Sequence, residues 1–341
     1  MSARDIELGT VFRGTPGGRI VTTHGTTVPL HPTDVVIDIA YSGICGSDLH
    51  FRHADIAAGH EGVGVISQVG AAVSNVRVGD RVGYGTNHYS CNYCDECLQG
   101  NDQQCPERRV HGLEETRFGS LGDRVVIDAK FVHVIPPEIK LAHAAPLQCA
   151  GATVYGAIVN AGIRANARVG VLGIGGLGHL AIQFLARLGA AVVVFSGTDS
   201  KKAQAEELGA SEFVATKTNP TLEGIAPLDA LLVCTSAQPE WAPYVALMKA
   251  RGTIVPLSLS MDNISLPYGA ILLKELRVLG SLLANRYVHR EMLRFAAAHG
   301  VRPMIEELPM TEENINTAMD RLARGDVRYR FVLKSQSTDA E

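Results

Sequence analysis

The sequence predicts an α/β protein made of a β-rich part and a doubly wound parallel sheet. Three observations predict it. From Val11 to about Ile135, short apolar runs are broken by glycine and proline, the pattern of a small β-barrel or sandwich. From Arg168 the chain alternates apolar strand-like runs with amphipathic helical stretches, which implies a parallel sheet wound on both faces. Where that alternation begins, Gly173-Ile174-Gly175-Gly176-Leu177-Gly178 follows a strand and opens a helix, the setting in which a glycine turn cradles a pyrophosphate.

Taken in order, residues 34–41 form a β-rich run of valine and isoleucine that ends at Ser42-Gly43. Residues 62–70, 78–82 and 124–128 are further strands, and 144–161, rich in alanine and glycine, reads as helix. Residues 169–172 are the first strand of the second part, followed by the glycine turn and a helix to Leu188-Gly189. A strand at 191–195 and a helix at 201–208, stopped by Gly209, come next. Strands at 212–215, 229–233, 252–256 and 276–280 complete the sheet, and the tail ends in a strand at 329–333. There are no internal repeats and no low-complexity linker.

The 341 residues suffice for roughly two domains. With 46% hydrophobic and 19% charged residues and a net charge of −4, nothing favours nucleic acid or an anionic membrane as partner. Residues 1–7 lack the apolar stretch of a secretory signal, and the longest apolar runs are too short to span a bilayer. The expectation is a cytoplasmic protein whose seven cysteines are reduced thiols.

Four of those thiols, in the pattern Cys91-x2-Cys94-x2-Cys97-x7-Cys105, can close a tetrahedral shell around one zinc. A closed shell leaves no place for substrate, so this zinc is structural. Cys45, His60 and Cys149 are candidate ligands of a second, catalytic zinc with an open position. Spacing alone does not pair Cys45 with Cys149, and Cys149 by itself is equally a core thiol. Glu61 is either an exchangeable fourth ligand or a surface acid. Asp48 is placed to accept a hydrogen bond from His60 and orient it.

In the nucleotide half, Gly173, Gly175, Gly176 and Gly178 form the candidate cofactor turn, the first permitting the tight bend and the middle ones letting the pyrophosphate approach backbone N–H groups at the helix start. The strand that follows runs into Phe195-Ser196-Gly197-Thr198-Asp199-Ser200-Lys201-Lys202, with no acid directly at its end. Ser196, Thr198 and Lys201 suit a 2′-phosphate, so NADP(H) is expected. Asp199 is otherwise a ribose-binding acid or a helix N-cap, and the lysines are otherwise solvated. Cys234, at a strand end, reads as a small buried hydrophobe.

Together these residues resemble the zinc-dependent medium-chain alcohol dehydrogenases, and most closely their cinnamyl-alcohol dehydrogenase-like branch of NADPH-dependent aldehyde reductases. The resemblance runs from Val35 to Leu333. It rests on Gly43-Ile44-Cys45-Gly46-Ser47-Asp48-Leu49-His50, Gly59-His60-Glu61-Gly62-Val63-Gly64, the four-cysteine lobe, Cys149-Ala150-Gly151-Ala152-Thr153-Val154-Tyr155, the glycine turn and Val327-Arg328-Tyr329-Arg330-Phe331-Val332-Leu333. It implies a GroES-like β-barrel catalytic domain built from residues 1–152 and 287–341, with a Rossmann domain at 153–286 between them. It implies Cys45, His60 and Cys149 on the catalytic zinc, with Glu61 near it, and a second zinc in the lobe. Zinc then polarises an aldehyde carbonyl, NADPH gives hydride, and Ser47 gives a proton that is relayed through the cofactor ribose to His50. Ser281 falls where the family's sheet meets the nicotinamide, and a homodimer is implied, its strands near 254–259 pairing edge to edge. One departure is the short link between His50 and His60: residues 51–58 replace a longer family segment, and a more open pocket is expected. An NAD-dependent polyol or secondary-alcohol dehydrogenase and a non-catalytic zinc- and nucleotide-binding protein are the competing functions. The proton relay argues against the latter.

Overall fold

The computed structural model describes residues 4–336. The expectations for residues 1–3 and 337–341, including the signal-free start and the outer limits of the catalytic domain, lie outside them. The chain divides into two compact units, one of residues up to Cys149 with Asn285–Ala298 and Arg302 onward, the other of Ala150–Ala284 with His299–Val301. The sequence boundaries, 152/153 and 286/287, fall three and two residues later than these.

The first unit is built on the strand Asp34–Ile44. Most of its residues are buried on both faces, which is why it reads as a continuous rather than an alternating apolar run. On one side lie, in turn, Gly62–Val69, Arg81–Tyr84 and His133–Val134, all antiparallel. The other side is shared: Arg124–Asp128 pairs with residues 34–38, and Arg330–Lys334 with residues 41–44. Ile305–Pro309 runs parallel to Arg330–Lys334 at the edge. Register shifts between Val36 and Ile37 and between Ile39 and Tyr41 bend the central strand. One face buries Ile37, Ile39, Ile66, Tyr84, Phe131 and Phe331, and another packs Val36 and Val126 against Ile6, Leu8 and Val28 of the N-terminal segment.

Three local expectations are corrected here. Residues 78–80 are a turn, with Gly79 at φ +89°, and the strand begins at Arg81. The central strand runs on to Ile44 instead of ending at Ser42-Gly43. Residues 144–161 are not one helix: Leu141–Pro146 and Ala152–Asn160 are α-helical, and Leu147–Gly151 between them is a π-helical turn. Pro146 has no N–H to donate and so interrupts the helical ladder at that point.

The second unit holds a six-stranded parallel sheet in the spatial order Glu212–Ala215, Ala191–Ser196, Arg168–Leu172, Leu228–Val233, Met248–Pro256, Arg277–Val278. The first strand in the chain lies in the interior and the order reverses beside it, the switch point at which such sheets bind nucleotides. The strand Met248–Pro256 starts four residues before the expected 252, and the expected strand 276–280 shrinks to Arg277–Val278. That short strand pairs with Thr253 and Ile254. Ile254 is therefore interior to the sheet, and Arg277–Val278 is the edge strand beside it. Among the described residues, no helix is long and apolar enough to cross a membrane.

Candidate metal centre and nucleotide site

The first metal-ligand cluster begins where the central strand stops. Cys45 is the N-cap of the helix Gly46–Phe51: its Sγ accepts the N–H of Ser47 at 3.3 Å, and Asp48 Oδ2 accepts the N–H of Cys45 at 2.9 Å. This reciprocal capping box locks both side chains. The other oxygen of Asp48 accepts Nδ1–H of buried His60 at 3.0 Å. That bond fixes the tautomer and turns the Nε2 lone pair toward Cys45 Sγ, 3.0 Å away. Cys149 arrives from the π-helical turn, and one donor atom from each of Cys45, His60, Glu61 and Cys149 lies within 4.8 Å of the rest.

The charges are arranged for a cation. A hydrogen bond from the Cys149 thiol, with His60 and Arg330 nearby, holds Cys45 well below the ordinary thiol range, while Cys149 is held well above it. His60 is burdened by burial, yet the Asp48 carboxylate and Cys45 carry it above the usual imidazole range. Burial lifts Glu61 to about 7 against the pull of Arg330. Arg330 pairs with Glu61 Oε1, both side chains being buried, whereas Oε2 of Glu61 has no hydrogen-bond partner among the described residues. Two sulfurs, one imidazole nitrogen and an orphaned carboxylate oxygen fit a catalytic zinc.

Gln148, beside Cys149, is itself pinned. Its amide donates to the Ala144 carbonyl at 3.0 Å and its oxygen meets His289 Nε2 at 3.1 Å. His289 stacks on His133, with ring centroids 3.8 Å apart and planes 19° from parallel. Burial holds His133 well below the usual imidazole range and takes His289 to about 3, so both rings are neutral. Nothing in the sequence signalled this pair, because its members are far apart in the chain.

Ser47 is half-buried in the first turn of its helix, and His50 is exposed one turn further on. The short link after them is anchored. Arg52 pairs with Asp320 at 2.9 Å, and Ile56 and Ala58 join backbone bonds to Gly14 and Phe12. The Phe51 ring occupies the space in front of Gly112 and meets His111 edge-on at 5.7 Å. His111, wholly buried, donates Nδ1–H to the Phe118 carbonyl, and its ring lies 5.6 Å from that of His60. Buried His88 is taken to about 4, and neither of its ring nitrogens has a partner among the described residues. His88 and His111 were not assigned from sequence, since a lone histidine in a β-rich stretch carries no spacing signal.

In the lobe, Cys105 and Cys91 sulfurs are 3.6 Å apart and those of Cys91 and Cys97 are 4.0 Å apart. A tetrahedron with zinc–sulfur bonds of about 2.3 Å has edges of about 3.8 Å, so the lobe fits zinc closely. The Cys94 and Cys91 N–H groups donate to sulfur, each at 3.4 Å, as thiolates require.

The glycine turn has the form a pyrophosphate needs. Gly173 sits at φ +93°, and a side chain on Gly178 would collide with the Gly173 carbonyl. Gly175 faces open space, and the eleven-residue helix Gly178–Leu188 starts just beyond. Gly176 lies in the same turn. Ser196 ends its strand, and Thr198 Oγ1 shares a 3.0 Å hydrogen bond with Ser200. Lys201 Nζ donates to the Ile174 carbonyl at 2.7 Å, bracing the glycine turn. Asp199 is not an N-cap: it is the first residue of a short 3-10 turn, and the helix Lys202–Leu208 begins after Lys201. Ser281 accepts a hydrogen bond from Asn160 at 3.1 Å. Cys234 is buried, which pushes its thiol up to about 12.

Comparison with known proteins gives concordant matches. Residues 31–137 match the alcohol dehydrogenase GroES-like domain, and residues 176–298 match the zinc-binding dehydrogenase domain. A probable cinnamyl alcohol dehydrogenase of Oryza sativa is 37% identical, over 89% of this chain and 87% of its own length. An NADP-dependent alcohol dehydrogenase of Mycolicibacterium smegmatis is 36% identical, over 90% of this chain and 91% of its own. The solved cinnamyl alcohol dehydrogenase of Sorghum bicolor superposes with a TM-score of 0.90 at 32% identity, covering 99% of each chain.

Proposed function

The chain belongs to the zinc-dependent medium-chain alcohol dehydrogenases, in their cinnamyl-alcohol dehydrogenase-like branch, and we propose that it reduces aldehydes to primary alcohols with NADPH. One observation carries the reading: Cys45, His60 and Cys149 converge on a point, with a thiolate, an oriented imidazole and a second sulfur ready to hold zinc. When bound, zinc supplies the Lewis acid for the carbonyl oxygen and NADPH the hydride.

The chain's own residues do the rest. Asp48 holds His60 in one tautomer. Glu61, neutralised in part by Arg330, offers an oxygen that can approach or leave the ligand set. Ser47 donates the proton that the alcohol gains, because a hydroxyl both donates and accepts. His50, exposed on the same helix, passes protons between Ser47 and solvent. In balance, one aldehyde, one NADPH and one proton give one alcohol and one NADP.

NADPH is supported by the hydroxyls of Ser196 and Thr198 at a strand end that carries no acid directly after it, and by the NADP dependence named for the relative from Mycolicibacterium. Exposed Met261, Tyr268, Leu272 and Leu273, close in sequence to the edge strand Arg277–Val278, support a second copy of the chain as partner. Seven unpaired cysteines support a reducing, cytoplasmic setting. The test is to follow NADPH oxidation across a panel of aldehydes, with the zinc content of the same protein. Turnover of an aldehyde, faster with NADPH than with NADH, is expected. Failure of every aldehyde, or preference for NADH, would overturn the proposal.

A further inference from the structure

We propose that Lys217, which lies outside every motif above, is the cation that reads the 2′-phosphate and so sets the coenzyme preference. The inference rests on the NADPH reading and assigns its determinant.

The strands Ala191–Ser196 and Glu212–Ala215 are parallel neighbours, with Ser196 opposite Ala215. Their register continues past both strand ends. Thr216 N–H donates to the Ser196 carbonyl at 2.8 Å, and Lys217 N–H to the Gly197 carbonyl at 3.2 Å. Lys217 is thereby clamped beside Gly197, the residue directly after the strand end where an NAD-binding protein carries its ribose acid. The contact extends to the side chain: a methyl group built on Gly197 would lie 3.8 Å from Lys217 Cε. The lysine stem therefore runs across the face of Gly197, with its ammonium beyond. Among the described residues that ammonium has no hydrogen-bond or ion-pair partner.

Lys201, the cation expected from sequence, is differently placed. Its ammonium is held by the Ile174 carbonyl inside the glycine turn. There it braces a feature that NADH and NADPH share and does not distinguish them. Asp199 is the sole acid among residues 196–202, and it favours a ribose hydroxyl over a phosphate. Preference for the phosphate then depends on a cation that outweighs Asp199. Lys217 is held at the right strand end by two neighbouring backbone bonds and is otherwise unengaged.

The test is calorimetric binding of 2′,5′-ADP and 5′-AMP to the zinc-loaded protein and its variants. Lys217→Ala should weaken 2′,5′-ADP about tenfold or more, the loss of one charge-assisted contact, with 5′-AMP unchanged. Lys217→Arg should restore most of the loss, and Lys201→Ala should weaken both ligands together. Melting temperature should be unaffected by the Lys217 changes, because the side chain is exposed. If the parent protein prefers 2′,5′-ADP but Lys217→Ala keeps that preference, the assignment of Lys217 is wrong while the NADPH reading stands. If the parent shows no preference between the two nucleotides, the NADPH reading itself fails and the role of Lys217 goes with it.

Discussion

Acidification should destabilise this protein through His289, and the size of the effect follows from its surroundings. The ring is buried, stacked on His133, and hydrogen-bonded to Gln148 next to Cys149. Burial lowers its protonation from the ordinary 6.5 to about 3. The unfolded chain takes up a proton near pH 6.5, whereas the folded chain resists until about pH 3. The stabilising contribution is thus complete above pH 6.5 and is lost as pH falls from there toward 3. At about pH 5 the unfolded imidazole has gained roughly 1.5 pK units of protonation free energy that the folded one lacks, or about 2 kcal/mol. His133 acts in the same direction, since its ring is buried against that of His289. The assay is equilibrium urea unfolding of zinc-loaded protein at about pH 7.5 and about pH 5, for the parent and for His289→Gln, which keeps an amide opposite Gln148. The variant should start less stable but lose about 2 kcal/mol less between the two conditions. Equal losses in parent and variant would refute the reasoning.

Other expectations concern the metal sites. Cys45→Ser or His60→Ala should abolish turnover and remove the catalytic zinc, while metal analysis still finds the zinc of the four-cysteine lobe. Cys97→Ser should lower melting temperature and soluble yield, because it opens a closed structural shell. Arg330→Met leaves the Glu61 carboxyl buried without its cation, a change that costs about 3–5 kcal/mol when one partner of a buried pair is removed. Thermal melting reads that loss, and Arg330→Lys should recover only part of it, since it lacks the planar fork.

Most strands were legible in the sequence because they rest on local signals, whereas the order of the strands in each sheet came from the structure. Valine and isoleucine runs marked Asp34–Ile44 and Arg168–Leu172, and glycines marked the turns. The candidate zinc ligands were legible as residue types, and Asp48 was legible as the acceptor that orients His60, a bond the structure contains. What stayed hidden depends on long-range packing. The break at Pro146 was masked by the helix-favouring alanines around it, so the π-helical turn that delivers Cys149 was read as plain helix. The Arg330 pairing with Glu61 joins the end of the chain to its first third, and only the sheet brings them together. Lys217 sits in a polar loop with no pattern of its own, and the parallel register alone sets it against Gly197. Short segments such as Arg277–Val278 were overextended because two residues give periodicity nothing to work on.

The strand Arg330–Lys334 has a consequence for how the molecule is made. It fills the place between Asp34–Ile44 and Ile305–Pro309, so the first unit has a gap in its sheet until the last part of the chain is synthesised. Glu61 and Arg330 are 269 positions apart. At translation rates of about 5–20 residues per second, Glu61 waits roughly 15–50 seconds for its counter-ion. The nucleotide unit, almost continuous in the chain, ends at Val301 and so is synthesised before Arg330. A nascent chain arrested ahead of residue 330 should therefore retain nucleotide while its Cys45 thiol stays open to alkylation, and protection of Cys45 in that chain would contradict this order of assembly. Loading of the catalytic metal is then one of the final events in the life of the new polypeptide.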